Sequence, residues 1–502
     1  MNISMLLDMS AEAFGDRVAI AYEGSTIDYA ELRRRALAAS QIVRDSGAEH
    51  LALLDVNSPA TAVALFGAAH AAVPYVPLNY RLTDDELAEL VERIAPALVV
   101  VGPEAEGRLP ERAGLTVIRR KDFLRATDGA GEGVSHAAED PSAIAVQLFT
   151  SGTTGKPKAA VLRHENLSAY IIGTVEFGAA GEDEANLVSV PPYHIAGISA
   201  ILSSTYACRR MAMIGAFEPV AWVTACREQN ATNCFIVPTM LSRIIDRLEA
   251  EGGAGLPSLR AVAYGGGRMP QQTIERAMQL LPQVDFTNAY GLTETSSTVA
   301  VLGPDDHRLA MASDDPKVRR RLASAGQPTG AVEIQVRDDA DRVLGPEEAG
   351  LVFVRGPQVS GEYLSLGSQL DADGWFPTKD RGYLDADGYL YLDGREDDVI
   401  VRGGENISPG EIEDVLLAHP AVADVAVVAV PDEQWGEGVG AAVVLEAGQS
   451  VSAETLQGLV REHLRSSRVP QVIVFRDALP YNEMGKVLRR IIRGELAEAV
   501  AA

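Results

Sequence analysis

Residues 146–158 read Val-Gln-Leu-Phe-Thr-Ser-Gly-Thr-Thr-Gly-Lys-Pro-Lys. Val146–Phe149 is an apolar run of the kind that forms a buried strand, and it delivers the chain into the small and cationic residues Thr150–Lys158. Successive small residues let backbone N–H groups turn inward and make an anion-binding concavity. The four hydroxyls of Thr150, Ser151, Thr153 and Thr154 and the ammoniums of Lys156 and Lys158 add donors, while Gly152 and Gly155 keep the backbone close. Polyphosphate is the guest such a loop suits. A Walker A loop would need GxxxxGK followed by Ser or Thr. Here the spacing is GxxGK and Pro157 follows, so the kinase or GTPase reading fails.

Outward from this loop, residues 1–390 alternate short apolar runs with helical patterns. Leu51–Val56, Ala97–Val101, Asn186–Val190, Cys234–Val237 and Arg260–Tyr264 read as strands, and Thr83–Ile94 and Met240–Leu248 as helices between them. That alternation predicts an α/β fold with largely parallel, stacked sheets. Around 332–392 the texture becomes β-rich, with turn signals at Asp373-Gly374, Asp387-Gly388 and Asp393-Gly394. The repeated DADG of 371–374 and 385–388 lacks the sixth-position Gly and twelfth-position Glu of a calcium loop, so it reads as hairpin turns. After about Arg395 a smaller α+β unit follows: helices at Pro409–Leu417 and Ala453–Leu464, strands at Val422–Val430 and Ala441–Leu445, and a last helix from Val487. Ala126–Asp140 reads as a surface loop.

The 502 residues exceed one ordinary core, at roughly 150 residues per domain. A net charge of −26 with no basic run argues against a nucleic-acid partner. Cys208, Cys226 and Cys234 have no metal-ligand spacing and form an odd set, so reduced thiols and a cytoplasmic location are expected. The first residues, MNISMLLDMSAEAF, carry no basic segment and do not read as a secretory leader. The uncharged stretch Thr61–Leu78 reads as a buried strand–helix pair rather than a membrane span. Only 6 lysines accompany 38 arginines. A lysine retained against that bias marks a need for a compact point charge, and Lys156, Lys158 and Lys486 all lie in Gly-containing loops.

Three further segments carry chemistry. Tyr264-Gly265-Gly266-Gly267-Arg268 ends an apolar run with glycines that let a flat ligand approach the backbone. Asn288-Ala289-Tyr290-Gly291-Leu292-Thr293-Glu294 places an aromatic ring, a hydroxyl and an acid in one short loop, enough to stack a base, bond a phosphate and ligate Mg²⁺. Trp375–Asp380 ends in a carboxylate that can accept two hydrogen bonds.

Together with Tyr75-Val76-Pro77-Leu78-Asn79, these motifs resemble the adenylate-forming superfamily of acyl-CoA synthetases, aryl-CoA ligases, luciferases and peptide-synthetase adenylation domains, and acyl-CoA synthetases most of all. The resemblance runs from Tyr75 to Lys486. It implies a large N-terminal adenylation domain, 1–394, and a small mobile C-terminal domain, 395–502, hinged at Asp397. It implies that Thr150–Lys156 hold the phosphates of ATP and that Gly266 and Gly267 line the adenine site, with Arg268 standing where the family usually has Pro. Asn288, Ala289, Tyr290 and Gly291 would meet the nucleotide, Tyr290 by stacking. Thr293 would contact the α-phosphate, Glu294 and Thr153 would hold Mg²⁺, and Asp380 with Arg395 would take the ribose side. Lys379 replaces the family's usual Gly and reads as solvent-facing. His194, in Pro191–Gly197, would border the acyl pocket with Gly265. Gly404 would let the pantetheine arm of coenzyme A pass, and Lys486 would be the catalytic lysine.

The expected reaction joins a hydrophobic carboxylic acid to CoA through an acyl-adenylate, with ATP, Mg²⁺ and CoA consumed or required. A stand-alone adenylation enzyme that loads a carrier protein is the alternative. An amino-acid substrate is disfavoured, because Tyr193-His194-Ile195 supplies no acid to pair an ammonium. Neither the acid nor the oligomeric state follows from the sequence.

Overall fold

The structure is a computed structural model that describes residues 1–129, 133–150, 157–253, 255–481 and 487–501. Two large sheets dominate it, of nine and eight strands. The nine-stranded sheet is parallel through Ala261–Gly265 and Asp285–Leu292, then turns antiparallel at Ser297–Leu302. The eight-stranded sheet is parallel through His50–Leu54 and Tyr75–Pro77 to Ile144–Thr150, then turns antiparallel at Lys158–Arg163. Both hairpins therefore leave the C-terminal ends of parallel strands, the edge where α/β sheets place ligands.

One core cluster joins Ala19, Ile20 and Met211 of the first sheet to Leu51, Leu53 and Val146 of the second. Between them lies the helix Pro59–Ala71, every residue of which is buried. This is the uncharged stretch of the sequence, and the order is helix then strand, Pro59–Ala71 followed by Tyr75–Pro77. A helix apolar on all sides belongs in a core. No helix among the described residues is long and apolar enough to cross a membrane. By contrast Asp84–Ile94 is amphipathic: Leu87, Leu90, Val91 and Ile94 are buried on one face. Its start is fixed by a capping box in which the Glu86 amide donates to the Thr83 hydroxyl and the Thr83 amide donates to the Glu86 carboxylate.

A four-stranded antiparallel sheet, Glu333–Arg337, Gly350–Arg355, Phe376–Leu384 and Leu390–Arg395, follows the expected β-rich texture. The DADG repeat has a physical cause. Asp371 accepts amide hydrogens from Asp373 and Trp375, and Asp385 does the same for Asp387 and Tyr389. Each first Asp thus closes a hairpin turn with its side chain. Asp393-Gly394 is not a turn. It lies inside the strand Leu390–Arg395, where Gly394, at φ 138°, sits in a register shift opposite Arg381 and Gly382. The pair signals φ > 0, and a bulge uses that as well as a turn does. Residues 126–129, expected as loop, end the helix Arg120–Gly129.

The last sheet holds Val422–Asp432 and Gly436–Leu445 with Val472–Arg476 parallel to the latter, flanked by the helices Pro409–Leu417, Ala453–His463 and Arg489–Ala501. Its core includes Ile400, Ile412, Val427 and Val443. The three cysteines are free and buried.

Gly67 marks how tightly the central helix is packed. A Cβ there would lie 2.7 Å from the Cβ of Ala39 on the helix Tyr29–Ser46. In an exposed helix Gly→Ala gains up to about 1 kcal/mol, whereas overpacking a core costs about 1–3 kcal/mol. Gly67→Ala is therefore expected to destabilise the protein by about 1–2 kcal/mol. A melting temperature that is unchanged or raised would contradict this packing.

Candidate active site

The two motif hairpins meet through the edges of their sheets. Lys158–Arg163 pairs on its far side with Glu362–Tyr363. That pairing carries the Tyr363 ring under the Lys158 ammonium, 5.7 Å from its centroid. The Tyr363 hydroxyl then donates to Oε1 of Glu294, in the single helical turn Thr293–Thr295 at the end of the other sheet. Burial, followed by the negative charge of Glu294, holds the Tyr363 hydroxyl well above its usual range, so it remains a donor at neutral pH.

The backbone of this turn is equally constrained. The amides of Ser360 and Gly361 both donate to the Glu294 carbonyl, at 2.9 and 3.0 Å. Gln358 donates its amide hydrogens to the carbonyls of Thr295 and Thr298. Gly291 is required by the same hairpin, since a Cβ there would lie 1.8 Å from the Ser297 carbonyl oxygen. Gly265 has a similar role: its Cβ would lie 2.2 Å from the carbonyl oxygen of Ala289 on the neighbouring strand. Asn288 donates to the carbonyl of Ser324 at 2.9 Å.

Asp380 is 8% exposed and is held from two directions. The Tyr290 hydroxyl donates to Oδ2 at 2.5 Å, and Arg395 Nη1 donates to Oδ1 at 3.2 Å. Burial and the adjacent Asp380 charge raise the Tyr290 hydroxyl far above its usual range. Asp380 and Arg395 are cross-strand partners in the four-stranded sheet. Lys379 beside them is exposed, as expected, and occupies the left-handed conformation at φ 62° where a glycine would be unstrained.

His194 is the residue before the helix Ile195–Tyr206 and packs its ring against Tyr193 at 4.5 Å, which in turn meets Tyr80 edge-on at 5.3 Å. The rings of His194, Tyr193 and Tyr80 thus adjoin one another. Thr150 and Lys158 are register partners at the two ends of the Gly/Thr loop. Ser151, Gly152, Thr153, Thr154, Gly155, Lys156 and Lys486 lie outside the described residues.

Beyond Arg395 comes a single turn, Glu396–Asp398, containing Asp397, and then the strands Ile400–Arg402 and Glu405–Ile407. Gly403 and Gly404 join these strands at φ 57° and 85°, a pair of positive values that the two-residue hairpin needs. Gly404 is exposed at the tip, and no atom would lie within 4 Å of a Cβ built on it.

The sequence matches the AMP-binding enzyme family over residues 7–364 and the AMP-binding enzyme C-terminal domain over residues 411–486. The chain belongs to this adenylate-forming family. A fatty acid–[acyl-carrier-protein] ligase of Streptomyces coeruleorubidus is 31% identical over 491 residues, 95% of this chain and 92% of that protein. Among solved structures, the o-succinylbenzoate CoA synthetase of Bacillus subtilis, in complex with its acyl-adenylate intermediate, is similar at a TM-score of 0.83 and 29% identity over 97% of both chains. ATP-bound MatB from Rhodopseudomonas palustris is similar at 0.88 and 26% identity, over 99% of this chain and 100% of that one.

Two features of this AMP-binding enzyme escape a reading of the motifs. Tyr363 has no local signal, because its role comes from a two-residue strand added to the edge of a distant sheet. Arg268, which follows Gly266 and Gly267, turns toward a helix far along the chain. Its guanidinium donates from Nη1 to the Gly410 carbonyl at 2.9 Å and from Nη2 to the Asp414 carboxylate, both on the helix Pro409–Leu417.

Asp393 lies in the same cluster. Burial pushes its carboxyl from 3.8 up to about 6, against the pull of Arg268 and with a further push from Glu411. Between those values the unfolded chain has released the proton and the folded chain keeps it. Stability therefore falls as pH rises through that window, and the full cost is present above it. Asp393→Asn should remove a penalty of up to about 3 kcal/mol at pH 7.5 and about half of that at pH 5. Thermal melts at the two pH values test this; an equal gain at both would contradict it.

Proposed function

We propose that this chain is an AMP-forming acid–thiol ligase that converts a hydrophobic carboxylic acid, ATP and CoA into acyl-CoA, AMP and pyrophosphate. The observation that carries the reading is the pair of carboxylates at the two ends of Tyr290–Glu294. Asp380 is held by Tyr290 and Arg395, and Glu294 is held by Tyr363. One suits a diol such as ribose, and the other suits a metal beside a polyphosphate.

Mg²⁺ fits the second position. Among the described residues no group of three His, Cys, Asp or Glu converges. A single carboxylate is what Mg²⁺ takes when phosphate oxygens and waters complete its shell. Tyr363 fixes one oxygen of Glu294 and so aims the other; Thr153 would be the second protein ligand. The bound ion would supply charge neutralisation at the phosphate oxygens.

In the first half-reaction a carboxylate oxygen of the acid attacks the α-phosphorus of ATP, and pyrophosphate leaves with the electron pair of the broken P–O bond. Thr293 and Lys486 meet the charge that builds on the phosphoryl oxygens, and Thr150–Lys156 hold the β- and γ-phosphates. The aromatic wall of His194, Tyr193 and Tyr80 places the acid. The small domain, 395–502, then turns about Asp397, withdraws Lys486 and presents Gly404, whose exposed tip suits the passage of a pantetheine arm. The CoA thiolate attacks the acyl carbonyl and AMP leaves.

Buried reduced cysteines support a cytoplasmic setting. Transfer to a carrier protein is the second reading, favoured by the likeness to a ligase named for that acceptor. An AMP-release screen over octanoate, palmitate, benzoate and 4-coumarate, with CoA, with a phosphopantetheinyl carrier protein, and with neither, decides between them. The expected result is AMP release with at least one acid, quickened by CoA. Stimulation by the carrier protein alone would favour the second reading, and no release with any acid or acceptor would overturn both.

Lys486→Ala should reduce acyl-AMP formation by 100-fold or more, since a charge-stabilising donor is worth about 10²–10³. Thioester formation from supplied acyl-AMP should stay within a fewfold of the unaltered protein. Equal losses in both steps would overturn the role given to Lys486.

A further inference from the structure

We propose that Arg268 is a positioning residue: it latches the small domain onto the large one in the arrangement that serves the first half-reaction. The inference rests on the two-step reading above and adds a part that the family's motifs do not contain.

Arg268 follows the three glycines of the large domain, and its two bonds go to residues four apart on one helix of the small domain. Residues spaced by four share a helix face, so the guanidinium spans Gly410 and Asp414 as a fork. Gly410 is shaped for it. A Cβ at 410 would lie 2.5 Å from Arg268 Nη1 and 3.2 Å from the Asp393 carbonyl oxygen. Glycine is a poor helix former, and its place in the first turn of a nine-residue helix gains a reason from the room it leaves for the guanidinium. The same helix is fastened at its ends. The Ser408 hydroxyl donates to the Asp393 carbonyl, and Gln272 reaches the Leu417 carbonyl at 3.5 Å.

The charges around the fork make Arg268 matter. Asp393, Glu411 and Asp414 all act on this cluster, with Arg268 as the cation closest to Asp414 and Arg381 a further one near Asp393. Without the guanidinium, acids of both domains face one another, and their repulsion drives the helix away from the large domain. With it, the contact stabilises one arrangement alone, because its partners lie on opposite sides of Glu396–Asp398 and must separate when the domain turns. Only such a differential contact shifts a population.

The arrangement held is shared with a relative bound to ATP. Residues 1–394 are roughly four-fifths of the chain, so agreement of the large domain alone falls short of the TM-score of 0.88 against ATP-bound MatB. Part of the small domain therefore superposes together with the large one, as it also does on the synthetase bound to its acyl-adenylate, at 0.83.

The test uses the full-length protein and two independent readouts. The first is limited trypsin cleavage after Arg395 and Arg402 without substrates, which reports release of the small domain whatever the reaction is. Arg268→Gln and Asp414→Ala should each quicken cleavage about 3- to 10-fold with melting temperatures unchanged, and the exchanged pair Arg268→Asp with Asp414→Arg should recover most of the loss. Gly410→Ala should quicken it in the native background and have no effect beside Arg268→Gln. The second readout, with octanoate or the best acid of the screen, separates the half-reactions. ATP–pyrophosphate exchange should fall by a similar factor in both single variants, while thioester formation from supplied acyl-AMP should hold or rise. Unchanged cleavage in both variants, or equal losses in the two half-reactions, would overturn the latch. An unaltered protein that releases no AMP would instead count against the ligase reading and leave the cleavage result to decide the latch.

Discussion

A carboxylate removed from water has to be paid for with partners, and Asp380 is 8% exposed. Two of its partners come from different sheets: Tyr290 from the nine-stranded sheet, and Arg395 from the strand of the four-stranded sheet that leads to the small domain. Satisfying this one group draws those parts to a common point. A shift of the four-stranded sheet against the nine-stranded one would leave a buried charge short of hydrogen bonds, which is far more costly than the loss of a surface contact. The geometry of the proposed nucleotide side is thus tied to the stability of the fold.

The proposed phosphate side is held by a different device. Glu294 is oriented by Tyr363, and Tyr363 is present because a two-residue strand pairs with the edge of the eight-stranded sheet. The turn bearing Glu294 is closed by the amides of Ser360 and Gly361 and by the side chain of Gln358. Carboxylates four positions beyond Tyr290 and ninety beyond it in sequence are aimed at one region by two tyrosines whose hydroxyls stay protonated. Rigid placement of charged groups is what phosphoryl transfer asks of a protein.

Much of the architecture was legible in advance. Ala97–Val101 and Pro409–Leu417 fall where apolar runs and helical spacing put them, and Thr83 with Glu86 signals the start of Asp84–Ile94. These are local matters of periodicity and capping. Asp393-Gly394 misled, because the dipeptide reports only a tolerance for positive φ and a bulge within a strand meets that tolerance as well as a turn does. Lys379 shows the reverse: a left-handed backbone persists where the usual glycine is absent, held by the strands on either side.

The sequence by itself determined the chemistry on offer: a hydroxyl- and glycine-rich loop after a buried strand, an aromatic and an acid in Tyr290–Glu294, and a carboxylate at Asp380. Those follow from residue type and short spacing. Only the tertiary structure decided which groups share a site and which join the two domains. Tyr363 reaches Glu294 across a sheet edge, and Arg268 leaves its glycine-rich neighbours for Gly410 and Asp414, more than a hundred residues away. Such contacts depend on strand order and on the angle at which one domain meets the other, and no local pattern of side chains encodes either.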